Sequence, residues 1–130
     1  KNVGIYYLLL NMSENILKIK SYEFSIKIVK LYQHLSQSKQ EFILSKQLIR
    51  SGTSIGALVR EADFGQSRAD FINKMSIALK EANETLYRLD ILLHTEYITA
   101  DEYELLYNLG EEILRILVAT IKTAKKKNGY

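Results

Sequence analysis

Residues 72–93 read INKMSIALKEANETLYRLDILL. Within them Ile72, Met75, Leu79, Ala82, Leu86, Leu89 and Leu93 step by +3, +4, +3, +4, +3 and +4. This is a heptad seam over three heptads, the pattern by which one helix lies along another in a bundle. Ser67 stands before it as an N-cap, and Asp70 falls in the first turn, where the helix dipole favours an acid.

Working outward, a preceding helix is expected over about Glu41–Phe64, with Leu44, Leu48, Ile55, Leu58, Val59 and Ala62 on its inner side and Gly65 as its C′ residue. Its centre, Ser51-Gly52-Thr53-Ser54-Ile55-Gly56-Ala57, is built from small residues. Each glycine there costs about 1 kcal/mol of helix propensity relative to alanine. Gly52 and Gly56 lie on one face, so close approach of a neighbouring helix is the expected compensation. Downstream, Thr99 caps a helix that runs to about Lys125, with Asp101, Glu102 and Glu104 early and Lys122, Lys125 and Lys126 late, matching the dipole. It carries two apolar stripes, Leu106, Leu109, Ile113, Ile116 and Tyr103, Tyr107, Leu114, Leu117, Ile121.

The first helix is expected from about Tyr22 to Gln37 with Ser21 as N-cap, and it too has two stripes: Phe24, Ile28, Leu31, Leu35 and Tyr22, Ile26, Val29, Tyr32. Residues 1–20 show no clean period and are expected to be a poorly ordered N-terminal extension, Met12-Ser13-Glu14 resembling an ordinary start; residues 21–127 form the domain. The expectation is an all-α, up-and-down four-helix bundle with short links. The doubled stripes on the first and last helices exceed what one buried face needs and predict self-association.

Composition agrees. The chain of 130 residues suits one domain, 47% hydrophobic content suffices for a core, and the absence of proline with only six glycines disfavours a turn-rich strand fold. No cysteine is present, which removes disulfides, thiolate metal sites and a cysteine nucleophile and is compatible with a cytoplasmic setting. The longest apolar run, Ile5–Leu10, is far shorter than the roughly 20 residues that cross a bilayer, so no membrane role is expected.

Catalytic patterns are missing. Neither His34 nor His94 has a glutamate three residues before it, as di-iron bundles require. There is no Gly-x-Ser-x-Gly elbow and no phosphate-cradling glycine loop. No cofactor, metal or catalytic residue is therefore expected; a carboxylate-only metal site at Glu61, Glu81 and Glu84 is the weakest of the alternatives. Short hairpins bring Arg50, Glu81 and Arg115 level, and these, with Glu61 and Glu84, are expected to form a structural polar layer that fixes register.

The formal net charge is +3, yet residues 1–40 hold six lysines against two acids. Lys20, Lys27, Lys30 and His34 fall on the outer side of the first helix, Lys46 and Arg50 on the second, and Lys125, Lys126 and Lys127 in the tail. They are the candidate contacts to a nucleic-acid backbone, multiplied if the chain is oligomeric. Tyr6, Tyr7, Tyr22, Tyr32 and Tyr130 are candidates to stack on bases. The competing reading is a solvated basic face on a protein-interaction scaffold that docks a partner enzyme without nucleic acid.

Two ordered motifs carry a family resemblance: QLIRSGTSIGA (47–57) followed by VREA (59–62), and DFINKMSIALKEANET (70–85). With Tyr22-x-Phe24 and Ile121-Lys122-Thr123-Ala124, the stretch from about residue 14 to 125 resembles the four-helix bundle proteins encoded in intervening sequences of bacterial large-subunit ribosomal RNA genes. The accessory variability protein of diversity-generating retroelements looks like the same fold. The resemblance implies a left-handed bundle, a ring-like homo-oligomer, namely a pentamer, and RNA or DNA as partner. Leu58, Leu86 and Arg88 depart from that pattern, which usually has Asn, Glu and an aromatic residue there.

Overall fold

The computed structural model describes residues 3–62 and 67–126. Four helices follow one another: α1 (Val3–Gln37), α2 (Leu44–Glu61), α3 (Arg68–His94) and α4 (Ala100–Lys125). Each packs on its neighbours in the chain, and α1 closes the ring against α4. Facing residues run in opposite order along each adjacent pair. Ser21 and Ile28 oppose Gly56 and Gly52, Ser51 and Glu61 oppose Thr85 and Lys74, Leu86 opposes Gly110, and Tyr6 and Lys20 oppose Ala124 and Glu112. The architecture is the expected up-and-down four-helix bundle.

The largest correction concerns the first helix. It begins at Val3, not Tyr22, so residues 3–20 of the stretch read as a poorly ordered extension are the first half of α1. Ser21 is no cap: it is buried in mid-helix, its hydroxyl 3.5 Å from the Lys18 carbonyl. The buried positions are Tyr6, Leu10, Glu14, Leu17, Ser21, Phe24, Ile28, Leu31 and Leu35, a heptad core hidden in the sequence by a glutamate and a serine at two of its positions. Leu10 and Leu17 are 1% and 0% exposed. Each contributes about 1.5–3 kcal/mol, enough to hold this segment on the bundle. At the same end the last turn of α4 leaves the Ala124 carbonyl without a helical partner. The Tyr6 hydroxyl and an Arg68 guanidinium N–H both donate to it at 3.1 Å, tying α1 and α3 to α4.

Helix α2 starts three residues later than expected. Glu41 lies before it, and its buried carboxylate accepts from the backbone N–H groups of Ile43, Leu44 and Ser45 at 3.2, 3.0 and 2.7 Å. Phe64 and Gly65, expected at its end, lie outside the described residues. The cap of α3 is as expected, with Ser67 Oγ accepting from Asp70 N at 3.0 Å. Helix α4 opens with a full capping box: Glu102 N–H donates to Thr99 Oγ1 at 3.2 Å, and Thr99 N–H donates to Glu102 Oε1 at 2.8 Å.

The α3 seam is rotated from its expected line. Met75, Ala82, Leu86 and Leu89 are buried, but Ile72, Leu79 and Leu93 are only half-buried, and Phe71, Ala78, Thr85 and Leu92 take their places. A helix touching two neighbours centres its buried arc between them, whereas the sequence marks only the greasiest line. The glycine expectation holds. A Cβ at Gly52 would lie 2.9 Å from Ile28 Cγ2, so α1 and α2 meet here at a distance only glycine allows.

Candidate nucleic-acid interface

The two apolar stripes of α4 are met inside the bundle by α1 and α3, leaving Leu105 as its one strongly exposed large apolar residue among those described. Surplus apolar surface therefore lies mainly on α1, with Phe42 and Ile43 also exposed in its link to α2. Ile5, Leu9, Met12, Ile16 and Ile19 step by +4, +3, +4 and +3 along one line of this helix and are 41–70% exposed. The same line continues through Glu23, Lys27, Lys30 and His34. One face of α1 thus changes from apolar to charged halfway along its length.

The basic candidates are not gathered into one patch. Lys27, Lys30 and His34 line a groove of about 280 Å³ between α1 and α4, floored by Leu31, Leu105 and Leu106 and carrying Glu102 at its edge. Lys20 is spent on a 3.1 Å ion pair with Glu112. Lys46 and Arg50 are exposed on α2, on the other flank of α1. Lys125 and Lys126 are exposed beside the start of α1; at 1.5 Å rise per residue they lie about 30 Å along the bundle from Lys27. Lys127 lies outside the described residues, as does Tyr130. Tyr6 is buried with its hydroxyl engaged, so it is unavailable for stacking, while Tyr7 and Tyr22 are half-exposed and Tyr32 is half-buried.

The expected polar layer does not form. Arg50 is exposed, and Arg115 is two-thirds exposed and pairs within its own helix with Glu111 at 3.3 Å. Glu61 binds Lys74 at 3.3 Å and Glu84 lies 3.6 Å from Arg88, while half-buried Glu81 accepts from the Thr85 hydroxyl only through its carbonyl. Ser51 opposes Thr85, so Arg50 stands about one turn along α3 from Glu81, and the face each side chain takes also differs from the expected layer. Among the described residues no three His, Asp or Glu side chains converge as metal ligands. No helix there is long and apolar enough to cross a membrane.

Two features escaped the sequence reading. Between α1 and α2 a second groove of about 350 Å³ is lined by Lys18, Ser21, Tyr22, Ser25, Thr53, Gly56, Ala57 and Arg60, and the Arg60 guanidinium sits 5.5 Å from the centre of the Tyr22 ring. The small residues of the Ser51–Ala57 stretch were visible, but not that they open a notch beside two cations. Between α3 and α4, the Tyr103 hydroxyl donates to Asp90 Oδ1 at 2.6 Å and its ring stacks on Tyr107 at 5.0 Å. Burial, then the bond to Asp90 and the surrounding acids, raises the Tyr103 phenol well above its ordinary range; burial and the same acids raise Tyr107.

A family model described as 23S rRNA-intervening sequence protein matches residues 13–119. The chain belongs to this family. Like it in structure is a protein of unknown function from the S23 ribosomal protein family of Bacteroides thetaiotaomicron, at 55% identity and a TM-score of 0.82, covering 85% of this chain and 98% of that one. A comparison with curated proteins finds no match. Of the three departures from the expected pattern, Leu58 is half-buried, Leu86 packs against Gly110, and Arg88 folds back to 3.6 Å from Glu84 with one buried guanidinium nitrogen lacking a hydrogen-bond partner.

Proposed function

We propose that this member of the intervening-sequence family assembles into a ring-like homo-oligomer, a pentamer, and that the assembly binds RNA or DNA without catalysing a reaction. The observation that carries it is the outer face of α1, with Ile5, Leu9, Met12, Ile16 and Ile19 exposed in one line and Lys27, Lys30 and His34 following. Monomers rarely leave such an apolar line bare, and a second copy of the chain is its natural cover. Repetition of the basic half around a ring turns a few lysines per chain into a continuous footprint for phosphates. Chemistry of this kind belongs in the cytoplasm, where ribosomal RNA is made.

Light scattering with a short structured ribosomal RNA fragment tests this directly. The expected result is a multimer that gains mass with RNA at low salt and loses it as salt rises. Lys27→Glu with Lys30→Glu should weaken binding, and Ile16→Glu should shift the protein towards monomer. A salt-insensitive or absent interaction would remove the nucleic-acid reading. The second reading, a scaffold docking a partner protein, is favoured by the apolar floor of the α1–α4 groove, Leu31, Leu105 and Leu106. It predicts an oligomer indifferent to RNA.

A further inference from the structure

The notch between α1 and α2 has the chemistry of a nucleotide seat. It exists because of a change of residue one turn beyond the tightest contact of the two helices. At Gly52 the helices touch through Ile28. At Gly56 they again lack a side chain on α2, but α1 now presents Ser21 and Ser25 in place of an isoleucine, so the groove opens. A Cβ at Gly56 would meet Ser21 Oγ at 3.3 Å and Ser25 Oγ at 3.5 Å. The floor therefore offers the half-buried Ser25 hydroxyl beside a buried Ser21, and the space of about 350 Å³ lies in the range of small-ligand sites.

The rim supplies charge and an aromatic face. Lys18 and Arg60 stand over this floor, and no acidic side chain lines the notch. Among the described residues neither cation is in an ion pair, in contrast to Lys20, which Glu112 neutralises, and to the α1–α4 groove, which carries Glu102. Arg60 is held instead over the half-exposed ring of Tyr22 at 5.5 Å. Arginine, lysine and serine hydroxyls are the groups that contact phosphates, and an exposed tyrosine ring is a platform for a base.

We propose that this notch binds one nucleotide unit of a single-stranded nucleic acid, its phosphate held by Lys18 and Arg60 beside the Ser25 hydroxyl and its base stacked against Tyr22. The site rests on the nucleic-acid reading above and adds to it a position and a strand preference that Lys27 and Lys30 alone do not give. A stacking contact tolerates any base, so binding is sequence-neutral and discriminates single strands from duplex.

Fluorescence anisotropy with a short fluorescein-labelled oligouridylate, on the full chain at low salt, tests the site. Tyr22→Ala and Arg60→Ala each weaken binding about tenfold, Tyr22→Phe retains it, and Arg60→Ala lowers the slope of log affinity against log salt by about one. Amide resonances of Ser25 and Gly56 move on titration with the oligonucleotide, and uridine monophosphate moves them only at far higher concentration. Circular dichroism of each variant, with Tyr22→Phe as the conservative control, separates loss of binding from loss of fold. If Lys27→Glu with Lys30→Glu abolishes binding while Tyr22→Ala and Arg60→Ala do not, nucleic-acid binding stands and the notch is overturned. If uridine monophosphate or inorganic phosphate moves these amides as strongly as the oligonucleotide, the notch is a small-anion site and the strand proposal is overturned. If no RNA binds at any salt, both readings fall.

Discussion

The hydroxyl oxygens of Ser51 on α2 and Thr85 on α3 lie 2.8 Å apart, both fully buried. The Thr85 hydroxyl is also 2.7 Å from the Glu81 carbonyl. This pair is the polar link between α2 and α3 in the core, where the sequence suggested an arginine–glutamate layer. A neutral hydroxyl pair avoids the desolvation cost that a buried ion pair incurs. Thr85→Val keeps the side-chain volume and removes the cross-helix partner of Ser51, leaving its hydroxyl only the Leu48 carbonyl of its own helix at 3.4 Å, and should cost about 1–2 kcal/mol. Ser51→Ala with Thr85→Val should cost less than the sum of the single changes. Urea denaturation of the four proteins of this double-mutant cycle checks it.

The close approach of α1 and α2 gives a second expectation. Alanine at position 52 would gain about 1 kcal/mol of helix propensity but push its Cβ into Ile28, whose branched Cβ sits too near the backbone to swing aside. Gly52→Ala should therefore be destabilising overall, by about 1–3 kcal/mol. In an Ile28→Ala background the same change should be neutral or stabilising, which thermal melts of the paired variants would show.

Helix α3 ends in a Schellman arrangement, with Tyr97 N–H donating to the Leu92 carbonyl at 2.9 Å and Glu96 N–H to that of Leu93 at 3.0 Å. Glu96 occupies the C′ position with φ 65°, a left-handed conformation that costs a side-chain-bearing residue about 1–2 kcal/mol. Glycine there loses more chain entropy on folding, so the net gain from Glu96→Gly is about 0.5–1 kcal/mol. A raised melting temperature is the expected readout.

Tyr103 and Tyr107 set an alkaline limit. Burial, and for Tyr103 the bond to Asp90, holds both phenols protonated above the ordinary value of 10.0. The folded state thus keeps protons that the unfolded chain releases. This contribution is complete below about pH 10 and is lost as pH climbs from there through the folded-state values. Tyr103→Phe should cost about 1 kcal/mol at pH 8, with the gap from the parent protein narrowing above pH 10. Urea midpoints measured across that range decide it.

Much of the bundle was written in the residues. The Ser67 and Thr99 caps, the glycine contact and the four amphipathic segments depend on local spacing and on backbone chemistry that a sequence displays. Helix α1 was misjudged because Glu14 and Ser21 occupy two of its core positions and its exposed isoleucines outnumber the buried ones. The basic residues are plain in the sequence but their grouping is not, since Lys27, Lys46 and Lys125 reach different surfaces only once the helices are placed side by side.

The sequence by itself determined that this chain is helical, how many helices it forms and that more apolar surface is present than one bundle can bury. Period and capping are properties of a single segment, so no tertiary information was needed. Only the tertiary structure decided which lysines are spent on ion pairs, which serines face a glycine across a groove, and that the surplus apolar line runs down α1. Those depend on the rotation of each helix about its own axis, which is fixed by how side chains from two neighbours interlock and not by the order of residues along any one of them.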